Sequence, residues 1–400
     1  MSVQDHLDLF LTPFAADPEQ AFAHAAEVGI KNKGAVEVAA WCFELAARVE
    51  DLSSRRGVQL ALMGGTACQL RFQASVQRGS RDDDFLTTAS REEVARLMED
   101  LREHFLPVSE DGVYFNPEPY TPARPTKIID MQRYDLRAPS FLDHQSKSGS
   151  LGQHISLEFH FVSALPPIES AEGRLFPFSE DLALTVPKIA YQAALKILTL
   201  AAPSVGIPPD RERDVPKHLN DLDLLLVQFS DSDWEALEGA VDQTAAKEPD
   251  IAGHDVWSEA DERLASWSHL GGTDDAAVKR AQHIQDQKAL MADKLSVTAW
   301  TARSQRLRWA LRCARTSNGT HLWTQARDMA ATLAGLSGDN SRAARNAIVK
   351  RWRALRDGAK LPDAAGFKAD VVWWHYIAEY RDLAVLPDDW NILPDEVLIP

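Results

Sequence analysis

Residues 60–88, LALMGGTACQLRFQASVQRGSRDDDFLTT, set three consecutive carboxylates, Asp82, Asp83 and Asp84, in a stretch that otherwise reads as core. Adjacent unpaired carboxylates repel one another and resist burial, so they need solvent, cationic partners or a metal. In a strand, residues two apart point the same way. Asp82 and Asp84 therefore project together, while Asp83 and Phe85 face the other side. Two carboxylates about 6–7 Å apart on one strand face can share hard cations such as Mg²⁺ or Mn²⁺, which prefer oxygen ligands.

The upstream run VQLALM (58–63) ends in Gly64-Gly65, the pattern of a buried strand closed by a sharp turn. Such a turn has no Cβ atoms to keep a phosphate from its amides, and Thr66 adds a hydroxyl where TACQLRFQ predicts a brief helix. A phosphate-cradling turn, a short helix and a DxD strand form the layout needed to hold a nucleoside triphosphate with its metals.

Elsewhere the periodicity predicts helices over 18–55, including AVEVAAWCFELAARVEDL. Ser90, with Glu93 three residues later, marks a capping box before the next helix. The region 107–150 is rich in turn residues, with short strands expected at GVYF and TKIIDMQ. HISLEFHFV (154–162) alternates: Ile155, Leu157, Phe159 and Phe161 share one face, Ser156, Glu158, His160 and Val162 the other. A helix is expected around VPKIAYQAALKILTLA with Pro187 in its first turn, and another in KHLNDLDLLLVQF. From about residue 231 only helical patterns follow. They include DVVWWHYIAEYRDL, which places Trp373, Tyr376, Ile377 and Tyr380 on one face, and then a Pro-punctuated tail. The expected fold class is α+β over 1–230, with a helical N-terminal segment 1–55, followed by an all-α C-terminal domain over 231–400.

Net charge is -16, yet thirteen Lys and Arg face only three Asp between 299 and 360. This asymmetry raises a polyanionic partner for that segment. Arg342, Arg345, Arg353 and Arg356 gather on one helical face opposite Ala344, Ile348, Trp352 and Leu355, a pattern that suits an RNA backbone, an acidic protein or a plain solvated surface. Trp309, Trp323 and Trp352 are expected in the core. No apolar run approaches the ~18–20 residues of a membrane span. The three cysteines, Cys42, Cys68 and Cys313, form no CxxC pair, which fits reduced thiols in a soluble, cytoplasmic protein.

GGTACQLRF and RGSRDDDF resemble the first motif of polymerase-β-type nucleotidyltransferases, in particular the abortive-infection and toxin–antitoxin branch, the AbiEii/AbiGii-type toxins. That branch runs Gly-Gly-Thr, then Arg-x-Ser-x-Asp-x-Asp and an apolar residue; Arg78, Ser80, Asp82, Asp84 and Phe85 fit the register. The resemblance implies a polymerase-β-like core of a mixed sheet with flanking helices. It also implies a later strand carboxylate, a helical lysine and a closing motif. Glu158 in ISLEF, Lys196 in AALKILTLA, and Lys217 with Asp221 in KHLNDL stand at those places. Two residues depart from the pattern: His218 stands where aspartate is usual, and Asp83 replaces the apolar middle of the DxD strand.

The activity so implied is Mg²⁺- or Mn²⁺-dependent transfer of a nucleoside monophosphate from an NTP to a hydroxyl. Asp82, Asp84 and Glu158 would be the catalytic metal ligands. Gly64, Gly65, Thr66, Ser80, Lys196 and Asp221 would contact the nucleotide. The expected acceptor is RNA, a tRNA 3′ end, under a separately encoded antitoxin. The alternatives are a small-molecule or protein side-chain acceptor, or an inactive nucleotide- or partner-binding scaffold. On local grounds Glu158 could equally be a polar residue on an exposed sheet face, with His160 a mere neighbour. Lys196 could be a helix lysine reaching for solvent, with Lys188 its rival, and Asp221 a first-turn acid.

Overall fold

A computed structural model describes residues 3–108, 117–119, 130–140, 153–201, 207, 209–247, 254–268, 275–288, 291–292, 294–355 and 367–378. The chain divides into two compact units. The first holds Met1–Leu195 with Lys247–Asp250 and Gln287–Lys294. The second holds Lys196–Ala246, Ile251–Asp286 and Leu295–Pro400.

The first unit opens with α1 (Pro18–Glu27) and α2 (Lys33–Arg56). Each starts where a short polar side chain can satisfy an orphan amide. Asp17 accepts from the Gln20 amide, and Asn32 accepts from the Ala35 amide. α2 is buried almost throughout, with Trp41, Phe43, Leu45 and Val49 fully enclosed. Charges on so buried a helix need donors. Glu44 accepts from the Thr12 amide and hydroxyl, both at 2.8 Å, and Glu37 accepts from Ser140 and Gln153. Burial raises the Glu44 carboxyl above its ordinary value, and the Leu11 and Thr12 donors oppose that rise.

The strands follow as β1 (Leu60–Met63), then α3 (Gly64–Gln69), β2 (Asp82–Thr87), α4 (Arg91–His104), β3 (Glu118–Pro119), β4 (Met131–Ala138) and β5 (Gln153–Phe161). They form one mixed sheet in the order β1-β2-β5-β4-β3, in which β2 and β5 run parallel and the other pairs antiparallel. The expected capping box at Ser90 and Glu93 starts α4. Ile155, Leu157 and Phe159 are completely buried, and Phe159 stacks on Phe85 at 5.1 Å between ring centroids. Burying each such ring contributes about 1.5–3 kcal/mol. This pair therefore ties β2 to β5 from the apolar side of the sheet.

β6 (Ile168–Arg174), which carries no marked hydrophobic alternation, and β7 (Asp181–Pro187) form a separate two-stranded antiparallel sheet beyond the strands expected from the sequence. They also correct the place of Pro187. It closes β7 opposite Ile168, and α5 (Ile189–Ala201) begins two residues later. A strand end tolerates a residue without an N–H as well as a first helical turn does. The strand expected at GVYF lies outside the described residues, as do 126–129 of TKIIDMQ; β4 begins at Met131 and runs on to Ala138.

In the second unit come α6 (Val215–Val227), α7 (Asp231–Ala245), α8 (Val256–Trp267), α9 (Asp275–Gln287), α10 (Val297–Ala314), α11 (Gly319–Gly335), α12 (Gly338–Leu355) and α13 (Ala369–Ala378). α10 is the hub, packing on α6, α8, α11 and α13. Its arginines turn inward. Arg303 Nε lies 2.8 Å from Asp223 and its Nη1 donates to Asn220 at 2.7 Å. Arg306 Nε donates to Asp223 at 2.7 Å, and Arg308 Nε to Asp261 at 3.0 Å. Part of the basic segment is thus internal cross-linking and offers no outer charge. α13 is buried on every side instead of presenting the single apolar face expected; Tyr380 lies outside the described residues. Trp309, Trp323 and Trp352 are buried as expected, and Cys42, Cys68 and Cys313 are free and buried. No described helix is long and apolar enough to cross a membrane.

Burial pushes the Asp223 carboxyl up, but the Arg306 and Arg303 guanidiniums outweigh it and hold the group below its ordinary value. A depressed carboxyl contributes stability above its unfolded pKa and loses it as pH falls through the folded one. Asp223→Ala, which leaves two guanidiniums without their shared partner, is expected to cost about 3–5 kcal/mol in urea unfolding. Below about pH 4 the wild type should lose stability more steeply than Asp223→Asn.

Candidate active site

β1 and β2 are joined through the Gly-Gly turn, α3 and a loop that returns the chain to the sheet edge. Gly64 has φ of +75°, a left-handed conformation that costs an L-residue with a side chain about 1–2 kcal/mol. Its register explains why no side chain is present. Met63 pairs with Asp84 across the antiparallel β1/β2 ladder, and a Cβ on Gly64 would overlap the Asp84 carboxylate. At Gly65 an added Cβ would stand 2.7 Å from Arg78 Nη2 and 3.0 Å from Ser80 Oγ. The two glycines therefore admit this chain's own Asp84, Arg78 and Ser80 to the turn, a role beyond leaving amides open to a phosphate.

Hydroxyls fix the start of the acidic strand. Thr66 Oγ1 donates to the Asp82 carbonyl at 3.0 Å, and Ser80 Oγ lies 3.2 Å from both the Asp82 carbonyl and its Oδ1. Two glutamines that motif reading passed over hold the loop. Gln69 donates to the Gly65 carbonyl and accepts from the Arg78 amide at 2.8 Å. Gln77 donates to the carbonyls of Gln69, Phe72 and Arg174 and accepts from the Phe176 amide. Both are fully buried, and a buried amide with its donors and acceptors filled acts as a rigid staple. Glutamine in a sequence gives no signal of this; it takes the fold to bring the four carbonyls to it.

Parallel pairing of β2 with β5 sets Asp84 directly beside Glu158, and Asp82 beside Ser156. Asp84, Glu158 and His160 offer ligand atoms that all lie within 4.8 Å of one another, each side chain partly exposed. Asp82 stands two residues back on the same strand, outside that trio. Arg133 of β4, in register with Glu158, brings Nη1 to 3.4 Å from Glu158 Oε1 while bonding Asp135 at 2.8 Å. Glu158 Oε2 faces His160 Nε2 at 3.9 Å. Burial lowers the His160 pKa to about 4, so the imidazole is neutral near pH 7. The oxygen-rich trio and its half-open face fit a divalent cation, and Asp84 and Glu158 would hold it. His160, a mere neighbour by its place in the alternation, belongs to the cluster.

Asp83 faces the opposite way, fully buried, and neither of its carboxyl oxygens has a hydrogen-bond partner among the described residues. Burial drives its pKa well above the carboxylate range, with Asp82 and Asp84 adding to the rise and the nearby Thr66 hydroxyl opposing it. Burial thus favours its protonated form. Cys42, near these acids, has its thiol pKa raised well above the ordinary value by burial and by the three carboxyls, so it carries no thiolate chemistry.

Lys196 and Asp221 lie in the second unit, where Lys196 Nζ donates to Asp221 Oδ2 at 2.9 Å in a buried ion pair. Also in that unit, α12 buries Ala344, Ile348 and Trp352. Arg342 and Arg353 are exposed and Arg345 half-buried, with Arg342 paired to Asp339 at 3.1 Å; Arg356 lies outside the described residues.

A family model described as the nucleotidyl transferase AbiEii toxin of type IV toxin–antitoxin systems matches residues 52–322. No curated protein matches the chain. A solved structure similar to it is that of an antigenic nucleotidyltransferase-like protein from Paracoccidioides brasiliensis. The two are 14% identical, with 54% of this chain and 90% of that chain covered and a TM-score of 0.32.

Gly64→Ala is expected to displace Asp84 and to weaken divalent-ion binding together with a loss of about 1–2 kcal/mol in urea unfolding. Asp83→Val, which replaces an unpartnered buried acid by an apolar side chain of similar size, should stabilise the fold by about 1–3 kcal/mol. An unchanged or lower urea midpoint would show that the acid has a partner.

Proposed function

The chain belongs to the AbiEii nucleotidyltransferase toxin family, and from that membership we propose metal-dependent transfer of a nucleoside monophosphate from an NTP to an RNA hydroxyl. The observation that carries this reading is the in-register apposition of Asp84 and Glu158 across parallel β2 and β5, beside the Gly64 turn. The acceptor hydroxyl oxygen forms a bond to the α-phosphorus and releases its proton to solvent, the bond from that phosphorus to the bridging oxygen breaks, and pyrophosphate departs. A divalent ion bound there would neutralise charge developing on the phosphoryl oxygens and lower the pKa of the attacking hydroxyl.

In this reading Asp84 and Glu158 hold the ion, and Asp82 supplies a further carboxylate from the same strand face. Ser80 and Thr66 act on Asp82, fixing its backbone so that its side chain need not reorganise at the moment of reaction. Gly64 keeps the space that Asp84 occupies. Arg133 restrains one oxygen of Glu158, and the other faces His160. The type IV toxin–antitoxin family brings a nucleotide substrate and an antitoxin as partner.

RNA is the acceptor that the exposed Arg342 and Arg353 favour, and within it a tRNA 3′ end is our proposal. Guanidiniums on the open face of a packed helix bind a phosphate backbone and release counterions. A small-molecule acceptor would make no use of them.

The test incubates purified protein with each α-labelled NTP, a divalent cation and total RNA. Label should enter an RNA band with the wild type and vanish with Asp84→Asn. With Arg342→Gln/Arg353→Gln, transfer should weaken and its salt dependence should flatten. Label on protein, or none at all, would overturn the RNA reading.

A further inference from the structure

Alternation along β5 sends Glu158 and His160 to the same face, while Leu157 and Phe159 enter the core. His160 sits opposite Leu86 on β2 and Met131 on β4, so the sheet neighbours in register with it offer no charge. Its Nε2 stands 3.9 Å from Glu158 Oε2, too long for a hydrogen bond. Two ligand atoms on one ion with bonds of about 2.0–2.2 Å stand about 3 Å apart when adjacent and at most about 4.4 Å when opposite, so a shared ion fits between these two. The oxygens of Asp84 complete the group within 4.8 Å. Arg133 occupies the other Glu158 oxygen, so Glu158 turns a single oxygen toward the imidazole.

Resting on the nucleotidyltransferase reading, we propose that His160 is a direct metal ligand together with Asp84 and Glu158, and that this mixed nitrogen–oxygen set prefers Mn²⁺ and other first-row transition ions to Mg²⁺. The physical reason is ligand softness. Mg²⁺ demands near-ideal octahedral geometry, keeps its waters and takes oxygen donors, whereas imidazole adds affinity for transition ions in the order Mn²⁺ below Co²⁺ and Ni²⁺. A second imidazole-free solution, three carboxylates, would serve Mg²⁺ better. This chain adds a histidine beside Glu158 to the carboxylates it already has on β2 and β5.

The test strips the full-length protein of metal and titrates it with Mn²⁺, reading free ion by electron paramagnetic resonance, with Mg²⁺ as competitor. Pulsed measurements on bound Mn²⁺ then look for nitrogen coupling. The wild type should show that coupling and bind Mn²⁺ at least about tenfold tighter than Mg²⁺, and His160→Gln should lose the coupling and about tenfold in Mn²⁺ affinity. Its Mg²⁺ affinity should stay within a factor of about two or three. Asp84→Asn should weaken both ions. Because the nitrogen signal is read on the wild type, a misfolded variant does not blunt the test. Bound Mn²⁺ without nitrogen coupling, or equal affinity for the two ions, overturns the proposal while leaving nucleotidyl transfer standing. Nitrogen-coupled Mn²⁺ in a protein that labels no RNA has the reverse meaning: the ligand set holds and the RNA reading fails.

Discussion

The parallel pairing of β2 with β5 governs the chemistry of this protein, because one ladder does two opposed jobs. On its apolar side Phe85 stacks on Phe159. On its polar side it forces Asp84 and Glu158 together. Two carboxylates so placed repel, and nothing in their own chemistry would bring them there. The burial of aromatic surface beneath them supplies the opposing free energy. A slip of one residue would send the rings to solvent and the acids to the core, so the register is strongly specified. That repulsion is what a divalent cation bound there would relieve.

Around that ladder, the turn and its loop are built for close approach and not for openness. Gly64 lacks a side chain because Asp84 needs the space, and Gln69 and Gln77 tie down the loop that carries Arg78 and Ser80. Asp83 is the cost of the arrangement: a fully buried acid whose pKa burial raises well above its ordinary value. Nothing in the structure explains why an apolar residue does not stand there.

The helical unit uses its basic side chains in two ways. Arg303, Arg306 and Arg308 point inward from α10 and meet Asp223 and Asp261, which binds α10 to α6 and α8. Arg342 and Arg353 on α12 face outward, over a side that buries Ala344, Ile348 and Trp352. Counting charges along the chain cannot separate these uses, since an arginine in an ion pair and one in solvent are written alike.

The sequence alone determined the elements that depend on near neighbours. The Gly-Gly turn after a short apolar run, the DxD strand, the capping box at Ser90 and the alternation of β5 all rest on spacing of a few residues, and all are present in the fold. The family resemblance of the first motif was legible for the same reason. Tertiary structure decided what depends on which strand lies beside which. It alone set Glu158 opposite Asp84, drew His160 into their group, gave Arg133 to Glu158 and closed the Lys196–Asp221 pair. It also placed Pro187 at the end of a strand and turned three arginines inward. Periodicity reports which face a residue takes, whereas ladder register and helix packing fix what that face meets.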